Sequence, residues 1–241
     1  MLKPLAPAML NALAIPDLHV PFEHPDALAF VTAVDKMWFP GQKRVVVFLG
    51  DEVDSHSISR HMPDPDGLSV RDELEAAHRH LVDWYAQFPI AKVCTSNHTI
   101  RPWKKAYESG ISQEFMREIG EVLKAPKHWH WADRWVLDGV VFEHGENVSG
   151  PLGALNAANQ NRMSTVIGHL HTFGGAVHSD AFDSKIWGMN TGCLIDVNAY
   201  AFKYAKNYRK KPTLGCGVIK NGNPYFVPML LDAQNRWLKA V

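Results

Sequence analysis

The chain has 241 residues, 46% of them apolar, enough to fill the core of one α/β domain spanning 1–241, and its 25 basic residues balance 25 acidic ones. That balance excludes a global basic field, so a polyanion would have to be held by a local patch. Three cysteines, Cys94, Cys193 and Cys216, an odd number with no C-x-x-C pair, favour a reduced cytoplasmic setting; no stretch approaches the ~20 apolar residues of a membrane span.

The first fifteen residues are apolar, carry only Lys3 as a base and contain two prolines, which reads as a short tail entering a strand. That strand, 10–16, runs directly into Asp17-Leu18-His19. Residues 25–38 repeat apolar side chains at Leu28, Val31 and Val34, a helical spacing with Pro25 near its start. The continuous apolar run 44–49 predicts a strand covered on both faces, and it breaks at Gly50-Asp51-Glu52-Val53-Asp54. Residues 55–67 read as a polar loop over the strand ends, with His56, Arg60 and His61 available to contact a ligand. Ser69 should cap a helix whose apolar face carries Leu74, Ala77, Leu81 and Tyr85, with His78 and His80 on its surface.

A third strand, 90–94, ends at Ser96-Asn97-His98. Residues 103–124 are expected to be helical, burying Ile111, Phe115, Ile119 and Val122. The alternation of His128 and His130 with Trp129 and Trp131 reads as tryptophans packing inward and histidines facing water. The strand 140–143 stops at His144, and 150–163 reads as a loop and short helix before the strand 164–167. That strand ends in Gly168-His169-Leu170-His171, where extended alternation would place both imidazoles on one side and Gly168 leaves room for a turn. Short β segments follow at 175–179, 186–189 and 214–219, the last turned through Asn221-Gly222 into 225–231.

The strand ends together supply Asp17, His19, Asp51, Asn97, His144, His169 and His171. Seven oxygen and nitrogen donors from five segments, with no thiolate, suit two divalent ions that share one carboxylate.

In their order these motifs resemble the calcineurin-like metallophosphoesterases, whose pattern is D-x-H, G-D-x-x-D, G-N-H-[DE], a lone His and G-H-x-H. The segments 57–61 and 214–228 also look like the phage and prophage branch of that family, which would place the protein in a host cytoplasm. The resemblance implies a four-layer α/β/β/α sandwich with two mixed β-sheets. It implies that Asp17, His19 and His171 hold one metal, Asn97, His144 and His169 the other, and that Asp51 bridges them. It further implies in-line attack on phosphorus by a hydroxide between the ions, with His98 as general acid and Asp54 orienting its ring. Manganese is the first expectation, and Fe, Zn, Ni or Mg suit the same ligands.

The departures bear on substrate. Ser55-His56 stands where protein phosphatases of the family carry Arg-Gly, so His56, Arg60 or Arg101 would have to grip the phosphate. Ser96 replaces the usual glycine and Thr99 the usual acidic residue, which leaves the support around Asn97 open. The stretch 200–211, with Lys203, Lys206 and Arg209 among four aromatics, is the place where a nucleic-acid backbone and bases could be held, or else an amphipathic segment packing its aromatics inward. The sequence therefore predicts a phosphodiesterase acting on nucleic acid or a nucleotide. A phosphomonoesterase is the alternative, and a non-catalytic metal-binding scaffold the rival from another class.

Overall fold

In the computed structural model, which describes residues 10–59, 66–199 and 211–240, the chain is α/β with two mixed sheets. Its elements in chain order are β1 (Ala12–Ile15), α1 (Ala27–Trp38), β2 (Val45–Phe48), α2 (Val70–Gln87), β3 (Ala91–Cys94), α3 (Arg101–Glu108), α4 (Ile119–Val122), β4 (Trp129–Ala132), β5 (Arg134–Leu137), β6 (Val140–Glu143), α5 (Gly153–Asn161), β7 (Ser164–Ile167), β8 (Gly174–Asp180), β9 (Lys185–Thr191), β10 (Gly215–Lys220) and β11 (Asn223–Pro228). One sheet has the order β11-β10-β1-β2-β3-β4, the other β5-β6-β7-β9-β8. Strands β1 to β4 run parallel in the first, and β6, β7 and β9 run parallel in the second.

The continuous apolar runs follow from burial on both faces. Side chains alternate along a strand, so Leu13, Ile15, Val46, Phe48 and Val93 join Phe30, Val31 and Val34 of α1 and Leu81 and Trp84 of α2. The intervening Ala12, Ala14, Val47, Leu49 and Cys94 meet Phe142, Val166, Trp187 and Met189 of the second sheet. Ala154 and Ala157 of α5 cover Ile167 at the end of β7. Ser69 caps α2 as expected, accepting the Asp72 amide. Asn221 and Gly222, both at positive φ, form the tight turn between β10 and β11.

Two expectations are corrected. The segment 103–124 is not one helix: Gly110, at φ 75°, ends the helical run in the left-handed conformation, and Ser112 starts a separate 3₁₀ turn, Gln113–Phe115. That break resets the helical phase, so Ile111 and Phe115 are exposed rather than buried. His78 is half-buried, its Nε2 reaching the Val122 carbonyl at 2.7 Å, whereas His80 is exposed. Strand β5 was hidden in sequence; Asp138 and Gly139 at positive φ turn it back onto β6. His128 and His130 do face outward while Trp129 is buried. No helix among the described residues is long and apolar enough to cross a membrane.

The C-terminal segment is tied to the start of α1. Asp26 accepts hydrogen bonds from the Arg236 guanidinium and from the Trp237 amide at 3.0 Å, and Trp237 packs edge-on against Phe30. The Arg236 bond holds the Asp26 carboxyl down to about 2. Because the folded value lies below the ordinary one, the pair stabilises the fold above about pH 4 and the contribution is lost as pH falls towards 2. Asp26→Asn should therefore melt below wild type at neutral pH, and the gap in denaturation midpoint should close on acidification through that window; a gap independent of pH would contradict the assignment.

Candidate metal centre

Because β1, β2 and β3 run parallel, as do β6 and β7, their carboxyl ends lie together, and each is followed at once by ligand-type residues. The Asp51 carbonyl accepts the amides of Leu18 and His19 at 3.1 and 2.8 Å, which locks the turn after β1 to the turn after β2. The Thr213 amide donates to His171 O at 2.7 Å and ties the turn after β7 to the start of β10. His19, Asp51 and His169 all sit at positive φ, respectively 54°, 47° and 61°. Non-glycine residues in that region carry strain, and here the strain aims each side chain inward. The reason His169 and His171 share a side is thus a tight turn beyond β7, with the Leu170 amide on Gly168 O, and not extended alternation.

Gly168 is required for a reason besides turning. A Cβ there would lie 2.3 Å from Asp17 Oδ1. Gly50, at φ 97°, is equally confined, since a Cβ would meet Ser96 Cβ at 2.5 Å. The floor of the centre, Asp17, His19, Asp51, Asp54 and His144, is almost fully buried, while Asn97, His98, His169 and His171 are half-buried at its mouth.

Two groups of side chains that could hold metal ions meet at one carboxylate. Asp17, His19, Asp51 and His171 offer ligand atoms within 4.8 Å of one another, and so do Asp51, His144 and His169. Asn97 belongs with the second group, its Oδ1 lying 2.9 Å from His144 Nε2. The histidine nitrogens converge as well, His19 Nε2 lying 3.2 Å from His171 Nε2 and His169 Nδ1 3.1 Å from His144 Nε2. Asp51 Oδ2 lies 3.4 Å from both His19 Nε2 and His144 Nε2, between the two groups.

The donor set fits cations. His144 Nδ1–H donates to Leu49 O at 2.9 Å, so in the neutral ring Nε2 is a lone pair facing two acceptors, Asn97 Oδ1 and Asp51 Oδ2. Asp17 Oδ1 is buried with no hydrogen-bond partner, while Oδ2 accepts from the His169 amide at 2.7 Å and lies 2.9 Å from His171 Nε2. Burial works to raise the Asp51 carboxyl, but His144, His98 and His19 outweigh it and hold it below the usual carboxylate range. Burial lowers the His19 ring, with His98 adding to the effect, and it lowers His169, with His144 adding. Burial also opposes charge on His144, yet Asp51 and Asp17 outweigh it and raise that ring. A positive charge is favoured where the lone pairs converge.

Asp54 orients two rings at once. Its Oδ1 accepts from His19 Nδ1 at 2.6 Å and His98 Nδ1 at 2.8 Å, which turns both Nε2 atoms towards Asp51. These bonds hold the Asp54 carboxyl down against burial. For His98, burial is outweighed by Asp51 and Asp54, and the ring is raised. His19, Asp54 and His98 form a third compact cluster, but its Nδ1 atoms are engaged on Asp54.

Of the residues read as substrate contacts, Arg101 reaches the centre: Nη2 donates to His98 Nε2 at 2.9 Å and Nη1 to the Asp54 and Ser55 carbonyls. His56 is buried behind Asp54, with Nδ1 3.6 Å from Asp54 Oδ2, and Glu73 of α2 accepts its amide at 2.7 Å. Arg60, Lys203, Lys206 and Arg209 lie outside the described residues. Sequence reasoning gave Glu52 no role and Glu73 only that of an acidic residue in the first turn of α2, and both are buried carboxylates behind the centre. The G-D-E run was a signal for the first, since a second carboxylate beside Asp51 needs partners if it is buried.

Comparison with known proteins adds no relative to this picture: no protein-family model matches the chain, and no curated protein matches it.

Proposed function

We propose that the chain is a dinuclear metal-dependent phosphoester hydrolase acting on phosphodiesters, with nucleic acid or a nucleotide as the substrate class. The observation that carries the reading is the pair of buried ligand groups joined at Asp51, with His98 beside them and its ring oriented by Asp54. Packing supports it as well. Helices α1 and α2 pack on one face of the first sheet, its other face meets the second sheet, and α5 packs on β7, which supports a reading as the calcineurin-like α/β/β/α sandwich that the motifs resemble.

Asp17, His19 and His171 would hold one ion and Asn97, His144 and His169 the other, with Asp51 shared. Two such ions, manganese first among those the N/O set suits, would supply an activated water and neutralise charge on the phosphoryl oxygens. The chain's own residues do the remainder. Asp54 holds the Nδ1 protons of His19 and His98 and so turns His98 Nε2 to the centre; that nitrogen accepts from Arg101 as it stands, and would give a proton to the departing oxygen from the doubly protonated ring, which Asp51 and Asp54 favour, once Arg101 turns to the phosphate. Arg101 brings a guanidinium to the same nitrogen, where it can meet a phosphate. Ser55-His56 supplies no second guanidinium, which favours the single charge of a diester over a monoester dianion.

The test compares a simple aryl phosphodiester with the corresponding monoester, Mn²⁺ added. Diester turnover should exceed monoester turnover; a strong monoester preference would replace the proposed substrate class by the phosphomonoesterase reading.

A further inference from the structure

Glu52 follows Asp51 directly and is fully buried, yet it belongs to neither ligand group. Its Oε1 accepts Trp131 Nε1–H and its Oε2 accepts the Thr99 hydroxyl, both at 2.8 Å. A hydroxyl carries one hydrogen, so Thr99, having given its own to Glu52, can only accept from Ser96, 2.9 Å away. Ser96 Oγ in turn accepts the Asp51 amide at 2.7 Å and the Thr99 amide at 3.4 Å. The bonds thus run in one direction, from the Asp51 amide through two hydroxyls to the Glu52 side chain.

Ser96 and Thr99 bracket Asn97 and His98, so this relay clamps both ends of the turn that carries them. Its far end is anchored through Trp131 on β4, which pairs with β3. Thr99 stands where the resembled motif has an acidic residue, and Glu52 brings a carboxylate to it from a different strand end. Burying a carboxylate next to Asp51 is costly, and an apolar pair of the same volume would fill the space as well.

We propose that Glu52 is a positioning residue that acts through Thr99 and Ser96 to hold the Asn97-His98 turn against Asp51. The role rests on the dinuclear hydrolase reading, in which Asn97 is a ligand and His98 a proton donor.

The test uses the full chain with Thr99→Val, Thr99→Ser and Glu52→Gln, read by Mn²⁺ titration calorimetry, by kcat and KM on an aryl phosphodiester, and by thermal melting. Valine removes the hydroxyl at nearly constant shape, serine keeps it, and glutamine offers one acceptor where two donors must be met. Thr99→Val and Glu52→Gln should bind Mn²⁺ about ten- to a hundredfold more weakly, with kcat falling and KM little changed, and Thr99→Ser should return to within about threefold of wild type. Should Glu52→Gln fail to fold, the valine and serine pair decides. Unchanged Mn²⁺ affinity in Thr99→Val, or equal losses with valine and serine, would overturn the relay. Wild type that takes up Mn²⁺ without hydrolysing the diester overturns the hydrolase reading alone, and wild type that binds no Mn²⁺ overturns both.

Discussion

Asp51→Asn should leave the chain folded and lower metal-dependent diester hydrolysis by at least about a thousandfold, the equivalent of several kcal/mol of transition-state stabilisation at ~1.4 kcal/mol per decade. Asp51 is the one carboxylate common to both ligand groups, and its Oδ2 sits 3.4 Å from a histidine nitrogen of each. Asparagine keeps the size and can still accept the His98 amide at Oδ1, as Asp51 does at 3.2 Å. Its Nδ2 would donate to the Nε2 lone pairs that otherwise face Oδ2. The metal-free variant should therefore stay folded, and the rise in melting temperature on adding Mn²⁺ should shrink, because stabilisation by a ligand follows its affinity. Full hydrolysis in Asp51→Asn would remove Asp51 from the centre, whereas a biological function left unchanged by the loss of hydrolysis would favour the non-catalytic scaffold.

His98→Ala should separate the chemistry from the metal. As a proton donor His98 is worth about 10²- to 10⁴-fold, and only where the leaving oxygen needs the proton. The variant should lose that factor on an alkyl diester and far less on a nitrophenyl diester, with Mn²⁺ content unchanged. Its ring touches Asp54 and Arg101 and donates its backbone amide to Asp51, so the substitution removes no side-chain ligand from either group. Equal losses on the two substrates would show that His98 acts by holding the centre together and not by proton transfer.

Much of this arrangement was legible in sequence because the chemistry follows the strands so closely. Parallel strands buried on both faces read as unbroken apolar runs, and Asp17, Asp51, Asn97, His144 and His169 each stand within three residues of such a run. What the residues do at those ends was less legible. Alternation accounts for His169 and His171 sharing a side only in an extended chain, and the actual turn depends on a left-handed His169 and on the Asp17 carboxylate pressed against Gly168. Such conformations are imposed by tertiary contacts and leave no periodic trace.

The same holds for the second layer of the centre. Thr99 in place of an acidic residue looked like a loss, because a carboxylate arriving from the end of another strand cannot be seen along one stretch of sequence. Residues 103–124 show the opposite failure: apolar spacing suggested one helix, and a single left-handed glycine divided it. Trp131 was read as a packing residue, and its indole N–H proves to be half of what holds Glu52 in place.

The most direct test of the two-ion account is a metal titration of the chelator-stripped full chain, following bound Mn²⁺ and hydrolysis of an aryl phosphodiester together. Turnover should appear as a second equivalent binds, and Asp51→Asn should show no such rise. Uptake of two equivalents by wild type with no turnover of any phosphoester, or full turnover with the metal stripped, would contradict the two-ion account.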